Sequence, residues 1–372
     1  MKPSIRLLIL LLGTTAFAAD VKFPSDFVPT NYDLSALPIY QPQPRLLGPI
    51  RIYGTPLEGL VGKWFAAFRG EYYGQVREIA YLVNTSQGMA GIVTGEADIG
   101  LMGHRTWHTS RVAFEKVYGY PPLEIKFANG SYDEPSPVGT TPGLIFIVNK
   151  NNPLTSITVE QLDGIFGTQR TGGWAGAKWT TAAARGPEKN IRTWGQMGFT
   201  GEWADRKILP FGSDVTISNW DDLIQQEAFH GGTKWNPALT EAQRADISLK
   251  AKHTNADETI INGVLTQPGA IGFMFQRVIN RMHADVKVLA VAPKAGAPAI
   301  MPSKQSFFDG TYPFRNGGYF YLNRPPGQPV SLREKEFVRF VLSREGQQII
   351  ADDRQFIPLN AAAAAHELAK LQ

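Results

Sequence analysis

Short polar side chains stand where helices begin along this chain, each just after an apolar run. The run GTPLEGLVGKWFAAF at Gly54–Phe68 follows the strand candidate Ile50–Tyr53. Thr55 is placed to cap a helix and Pro56 to open it, with Leu57, Leu60, Val61, Trp64 and Phe68 on one apolar stripe. Ser86, followed by Gln87, can cap a helix that leads into the strand candidate Ala97–Met102. In GSDVTISNW at Gly212–Trp220, Ser218 or Asn219 can cap a third helix, with Ser213, Asp214 and Thr216 in the loop before it. Helix starts present backbone N–H groups and the positive end of the helix dipole. Three of them in one crevice, with hydroxyls between, would hold an anion without a catalytic residue. His104 and Arg105 follow a strand end and could add positive charge. Asp214 could take the proton of a protonated anion, or simply sit in a turn.

Other chemistries find little support. His104 and His108 are four apart, a spacing that can hold a metal on one helix face, but no acidic third ligand stands nearby. Asp221 and Asp222 are adjacent in a helix first turn and do not face each other, so they make a poor acid/base pair. G-x-S-x-G, G-x-x-x-x-G-K-[ST] and a post-strand G-x-G-x-x-G are all missing. Neither an enzyme nor a cofactor is expected.

The elements that would position these residues alternate. Strand candidates at Val76–Val83, Leu144–Asn149, Lys207–Phe211, Pro268–Phe273 and Gly318–Leu322 are separated by helical stretches, including Ile157–Phe166 and Leu332–Leu342. Such alternation predicts open, mostly parallel sheets flanked by helices, with ligands bound beyond the carboxyl ends of the strands. A glycine- and tryptophan-rich stretch at 167–198 interrupts the pattern, and Trp174, Trp179, Trp194 and Trp203 are expected to pack it.

The first residues set the compartment. Lys2 and Arg6, the apolar run Leu7–Leu12 and Ala16-Phe17-Ala18 form a secretory signal with cleavage expected before Ala19. With Cys 0, lipid attachment through a lipobox and disulfides are excluded. Export to the periplasm or medium follows. Residues 19–47 are proline-rich and extended, as a tether or an arm on the domain. A net charge of +4 and pI near 9.1 suit an anionic small ligand, but no basic run argues for nucleic acid.

Several motifs together carry a resemblance: NPLTSITVEQLDGIFG at Asn152–Gly167, PGAIGF at Pro268–Phe273, FVRFVLSREGQQII at Phe337–Ile350, GEADIG at Gly95–Gly100 and YLNRPPGQPV at Tyr321–Val330. In order and spacing the chain resembles the phosphate-binding proteins of ABC uptake systems, which have the type II periplasmic binding protein fold. The resemblance implies two α/β lobes with a ligand cleft between them: 48–138 with 276–372, and 139–275. The crossovers would lie near Pro137–Thr141 and Met274–Arg277. It also implies capture of a phosphate-like oxyanion for a membrane ABC permease, by a monomer. Carried over residue by residue, ligand contacts fall on Thr55, Leu57 and Ser86. The Ser-Asp or Ser-Arg pair of that family becomes Met102-Gly103 or Gly103-His104, and its arginine in the third segment becomes Ser213. Phosphate binding is therefore expected to be weaker unless Arg105 or His104 supplies the charge. Two rival readings are a secreted interaction protein that kept the scaffold but lost transport, and an exported phosphate-ester hydrolase.

Overall fold

The computed structural model describes residues 32–43, 46–72, 75–130, 143–213, 220–242, 255–275 and 284–372. The first lobe opens with β1 (Gly48–Gly54), α1 (Glu58–Glu71), β2 (Val76–Tyr81), α2 (Thr85–Thr94), β3 (Ile99–Met102), α3 (His108–Tyr118) and β4 (Leu123–Asn129). The second is built on β5 (Leu144–Asn149), β6 (Ser156–Thr158), α4 (Val159–Phe166), β7 (Gly173–Ala175), β8 (Lys178–Thr180), β9 (Leu209–Ser213), α5 (Trp220–Glu227), β10 (Thr240–Ala242), α6 (Asn255–Thr266), β11 (Ala270–Phe275), β12 (Val286–Val288) and β13 (Ala290–Ala292). After α7 (Lys304–Phe308) the chain returns to the first sheet as β14 (Gly317–Leu322) and ends in α8 (Leu332–Val341), α9 (Arg344–Asp353) and α10 (Ala361–Ala369).

The two main sheets have strand orders β2-β1-β3-β14-β4 and β10-β9-β11-β5-β12. The two-lobed α/β architecture expected from the sequence is borne out. Each sheet is parallel on one side and antiparallel on the other, and so more mixed than the alternation suggests: β1 runs parallel to β2 and β3, whereas β14 runs antiparallel to β3 and β4. The second sheet repeats this, with β9 parallel to β10 and β11, and β5 antiparallel to β11 and β12. The cause is the chain path. β1 and β3 end at the cleft edge of their sheet, while β14 arrives from the other lobe and starts there.

One boundary moves. Met274 and Phe275 lie inside β11 paired with Ile145 and Leu144, and β12 continues the same sheet. The chain therefore stays in the second sheet through Phe275, and residues 286–292 do not join the first; residues 276–283 lie outside the described residues. Leu289, Val291, Phe307, Tyr312 and Phe314 also pack in the second lobe's core. The other expected crossover, Pro137–Thr141, lies outside the described residues.

Apolar spacing explains the packing. α1 buries Leu60, Val61, Trp64, Phe65 and Phe68 against Phe337, Phe340 and the first sheet. Trp64 is fully buried, its indole N–H donating to the Gly346 carbonyl at 3.1 Å. LIFIVN in β5 is buried at every position, as expected for a strand covered on both faces. α4 starts with a capping box between Thr158 and Gln161. The tryptophan-rich insertion is tied down at its base by Asp163, which receives buried guanidinium hydrogen bonds from Arg170 and Arg185. Trp194 is buried within it, while Trp174 and Trp179 stay exposed on the β7–β8 hairpin. Residues 32–43 form an arm: Leu34, Leu37 and Tyr40 are buried, and the Arg344 N–H donates to the Pro38 carbonyl at 2.9 Å. Among the described residues no helix is long and apolar enough to cross a membrane.

Candidate functional site

β1 ends in Gly54, whose φ of +149° and close approach to the Leu101 carbonyl admit no side chain: a Cβ there would stand 1.8 Å from that oxygen. This tight crossing brings Thr55 against the end of β3. Thr55 is 2% exposed, and its N–H donates to Leu101 O at 2.9 Å. Its hydroxyl accepts the Gly103 N–H at 2.8 Å and donates to the Thr85 hydroxyl at 3.1 Å. Three chain ends thus meet at one side chain: the exit of β1, the first turn of α2 and the exit of β3. Gly103 belongs there because a Cβ would lie 3.1 Å from the Thr55 methyl.

The helix starts differ in detail from the sequence expectation. Leu57, not Thr55, is the N-cap of α1, and no side chain caps it, so the first N–H groups of α1 have no side-chain acceptor at the cap. Asn84, not Ser86, caps α2, its side chain accepting the Gln87 N–H at 3.2 Å. Ser86 is exposed in the first turn. Sequence reasoning missed Thr85. A hydroxyl carries one proton. Thr55 gives its proton to Thr85, so Thr85 keeps its own free to donate outward. The TS pair after an asparagine was the available signal, of which only the serine was singled out.

In the second lobe, Ser213 ends β9, 3% exposed, and its buried hydroxyl has no hydrogen-bond partner among the described residues. Asp214, Thr216, Ser218 and Asn219 lie outside the described residues, as does any cap they form for α5.

The two basic candidates are corrected. His104 is 3% exposed rather than at a rim; its Nδ1 pairs with the Arg105 carbonyl at 2.7 Å and its ring packs on Trp107. Burial pushes its pKa down to about 4, so it is a neutral imidazole at neutral pH and brings no counter-charge. Only His108 lies on α3, so the pair does not share a helix face, and no group of three metal-ligating side chains occurs among the described residues. Arg105 stays charged: burial opposes its charge, but Glu124 above all, with Tyr319 and Tyr321, outweighs that and raises its pKa. Its Nε donates to both Glu124 oxygens at 3.1 and 3.2 Å, and Nη1 to Gln226 Oε1 at 2.6 Å. Glu124 accepts from the Tyr321 hydroxyl at 2.7 Å and lies 4.0 Å from Arg111. Burial would raise the Glu124 carboxyl, yet Arg105, Tyr321 and Arg111 hold it below its usual range. Lys126, on the same strand, is pushed down to about 7 by burial and by Arg315.

A cleft of about 460 Å³ opens beside this cluster, with Arg105, Arg111 and Glu124 on one wall and Asp222, Glu227 and Trp174 on the other. Its charges are of both signs, so it is no simple anion funnel. The uncapped α1 start and the Thr85 hydroxyl have the chemistry that would suit an oxyanion.

The likeness expected from the motifs is borne out by comparison with known proteins. The chain is 26% identical over 337 residues to the phosphate-binding protein PstS of Pseudomonas aeruginosa, covering 90% of this chain and 91% of that one. No family model matches. Among solved structures, PstS from Borrelia burgdorferi aligns over 84% of this chain and 99% of its own, at 15% identity and a TM-score of 0.49. A possible phosphate-binding protein from Planctomyces limnophilus aligns over 88% and 98%, at 18% identity and a TM-score of 0.46.

Proposed function

We propose that this chain is an exported solute-binding protein that captures phosphate or a closely related oxyanion between its lobes and delivers it to an ABC permease. The observation that carries the reading is the near full-length likeness to PstS, a phosphate-binding protein. The Thr55–Thr85–Gly103 junction supports it physically, because Thr55 takes up the Gly103 N–H and gives its own proton to Thr85, leaving the Thr85 hydroxyl and the uncapped start of α1 as donors. Under this reading the first-lobe contacts come from Leu57 and the α1 start, Thr85, Ser86 and Gln87, with Thr55 holding them in register. Ser213, Asp214, Thr216, Ser218 and Asn219 supply the second-lobe half, and the Ser213 hydroxyl, without a partner among the described residues, suits that role. The lobes divide as 48–130 with 317–372, and 143–315. Export follows from the signal, with cleavage after Ala18; N-terminal sequencing of exported protein beginning at Ala19 is the expected result. The permease-bound species is a monomer.

The test is a thermal-shift panel on the mature chain with phosphate, sulfate, small carboxylates and sugar phosphates. A ligand at a hundredfold excess over its dissociation constant stabilises by about 2.7 kcal/mol, which is readily resolved. Phosphate is expected to give the largest shift, and a phosphatase assay alongside to stay blank. A flat panel would remove the reading.

A further inference from the structure

The two main sheets end in β2, β4, β10 and β12, and among the described residues β2 is the long edge left open. β4 is covered: its Lys126 N–H donates to Glu367 on α10 at 2.9 Å, and Asn129 pairs with Ile357. β10 and β12 are each only three residues long. β2 pairs with β1 in parallel over six consecutive residues without a bulge. Its sequence VREIAY holds neither proline nor lysine, the residues that commonly blunt a strand edge. The Gly48 N–H donates to the Gln75 carbonyl, so Gln75, Arg77, Ile79 and Tyr81 turn their backbone groups to β1. The N–H and C=O groups of Val76, Glu78 and Ala80 turn outward, with no backbone partner among the described residues. Side chains alternate across the same strand. Glu78 lies on the α1 face, held by Arg69 at 2.7 Å, with Val76 buried beside it. Arg77, Ile79 and Tyr81 take the other face, which Val83 continues just beyond the strand. Ile79, Tyr81 and Val83 are 43%, 48% and 55% exposed. The Tyr81 ring lies 5.3 Å from Tyr53, so the apolar stripe reaches onto β1.

We propose that β2 is a self-association edge, on which a second copy of this chain adds its own β2 antiparallel across a two-fold axis normal to the sheet. Such an axis keeps like faces together, so it passes through a residue rather than between two. Through Glu78 it would set two carboxylates opposite each other, which is unfavourable. Through Ala80 it would leave Arg77 against an apolar Val83. Through Ile79 it sets Ile79 on Ile79 of the second copy and each Arg77 against the other copy's Tyr81, a cation–aromatic pair made twice. In that register Glu78 and Ala80 exchange backbone hydrogen bonds and fill the open donors and acceptors. This self-complementarity of charge and apolar surface selects a second copy over a foreign strand. A strand of this length spans only about 20 Å, and the contact falls short of the roughly 1,200 Å² of a stable complex. The dimer is therefore weak and reversible, and the monomer remains the species that meets the permease. The pairing uses no residue of the Thr55–Thr85–Gly103 junction, so it stands whether or not phosphate is the ligand.

Sedimentation equilibrium on the mature chain tests it. The wild type is expected to pass from monomer to dimer with a dissociation constant of about 100 µM, in keeping with so small a contact. Ile79→Lys and Ile79→Glu each set like charges at the axis and are expected to stay monomeric at concentrations where the wild type is mostly dimer. Mixed in equal amounts, the two variants are expected to associate again, because opposite charges then meet at the axis. Ile79 is exposed, so both variants keep the fold, which circular dichroism checks, and the recovery in the mixture separates lost pairing from damage to either chain. Arg77→Ala is expected to weaken the dimer by about tenfold through loss of both cation–aromatic pairs. A wild type that stays monomeric at every concentration overturns the proposal. So does a single-charge variant that dimerises like wild type, or a mixture of the two that stays monomeric.

Discussion

Thr55 sits where three elements join, and its hydroxyl is committed twice within the protein. Replacing it by valine keeps the shape but strands the buried Gly103 N–H. The expected loss is about 1–3 kcal/mol, the cost of an unsatisfied buried donor, measured by urea denaturation. Thr85→Val should cost less stability, since Thr85 accepts there rather than supporting a backbone group, and more phosphate affinity. His104 is a different kind of residue. Its pKa, pushed down from 6.5 to about 4 by burial, lies below the value it has unfolded. The unfolded chain therefore binds the extra proton first on acidification. Stability owed to this group is complete above about pH 6.5 and is lost as pH falls toward 4. Wild type should lose more stability between pH 7 and 4.5 than His104→Gln. Because the imidazole is neutral throughout, sulfate affinity should be flat from pH 6 to 8; a fall across that range would mean that His104 titrates in the site.

At the scale of elements, the strand-to-helix grammar was legible from the sequence because it follows from spacing: the stripe of α1, the buried run of β5 and the helical stretch Ile157–Phe166 all appear where the residues indicate. Cap positions were less so. A threonine before Pro56 reads as a cap, but the close crossing of Gly54 over Leu101 turns Thr55 to β3 instead, and that depends on a tertiary contact. The glycines give a matched test. Gly54→Ala should destabilise by about 2–4 kcal/mol, from backbone strain and overlap with a carbonyl. Gly62→Ala, on the exposed face of α1 with nothing within 4 Å of its Cβ, should instead stabilise by about 0.5–1 kcal/mol. Equal effects in thermal melts would argue against the β1–β3 junction.

For the whole molecule, the two-lobed plan was readable through motif order, whereas the return point was not. Nothing in the local pattern distinguishes β12 from a strand of the first sheet; only its pairing with β5 does. The fate of Arg105 was equally hidden, because Glu124 and Gln226 are distant in sequence and converge only when the lobes meet. The wall between the lobes carries charges of both signs, so under the proposed function the anion's stabilisation would fall on neutral donors. Hydrogen bonds to a charged group contribute roughly 1.5–3 kcal/mol each, and four such donors would reach about the 8.2 kcal/mol of a micromolar complex. The most direct measurement is titration calorimetry of phosphate into the anion-free mature chain. The account predicts one site per chain with a dissociation constant at or below about the micromolar range. It also predicts that binding survives Arg105→Ala in weakened form and drops by a further decade or more in Thr85→Val. Absence of saturable heat in the wild type, or abolition of binding by Arg105→Ala alone in a folded protein, would contradict it.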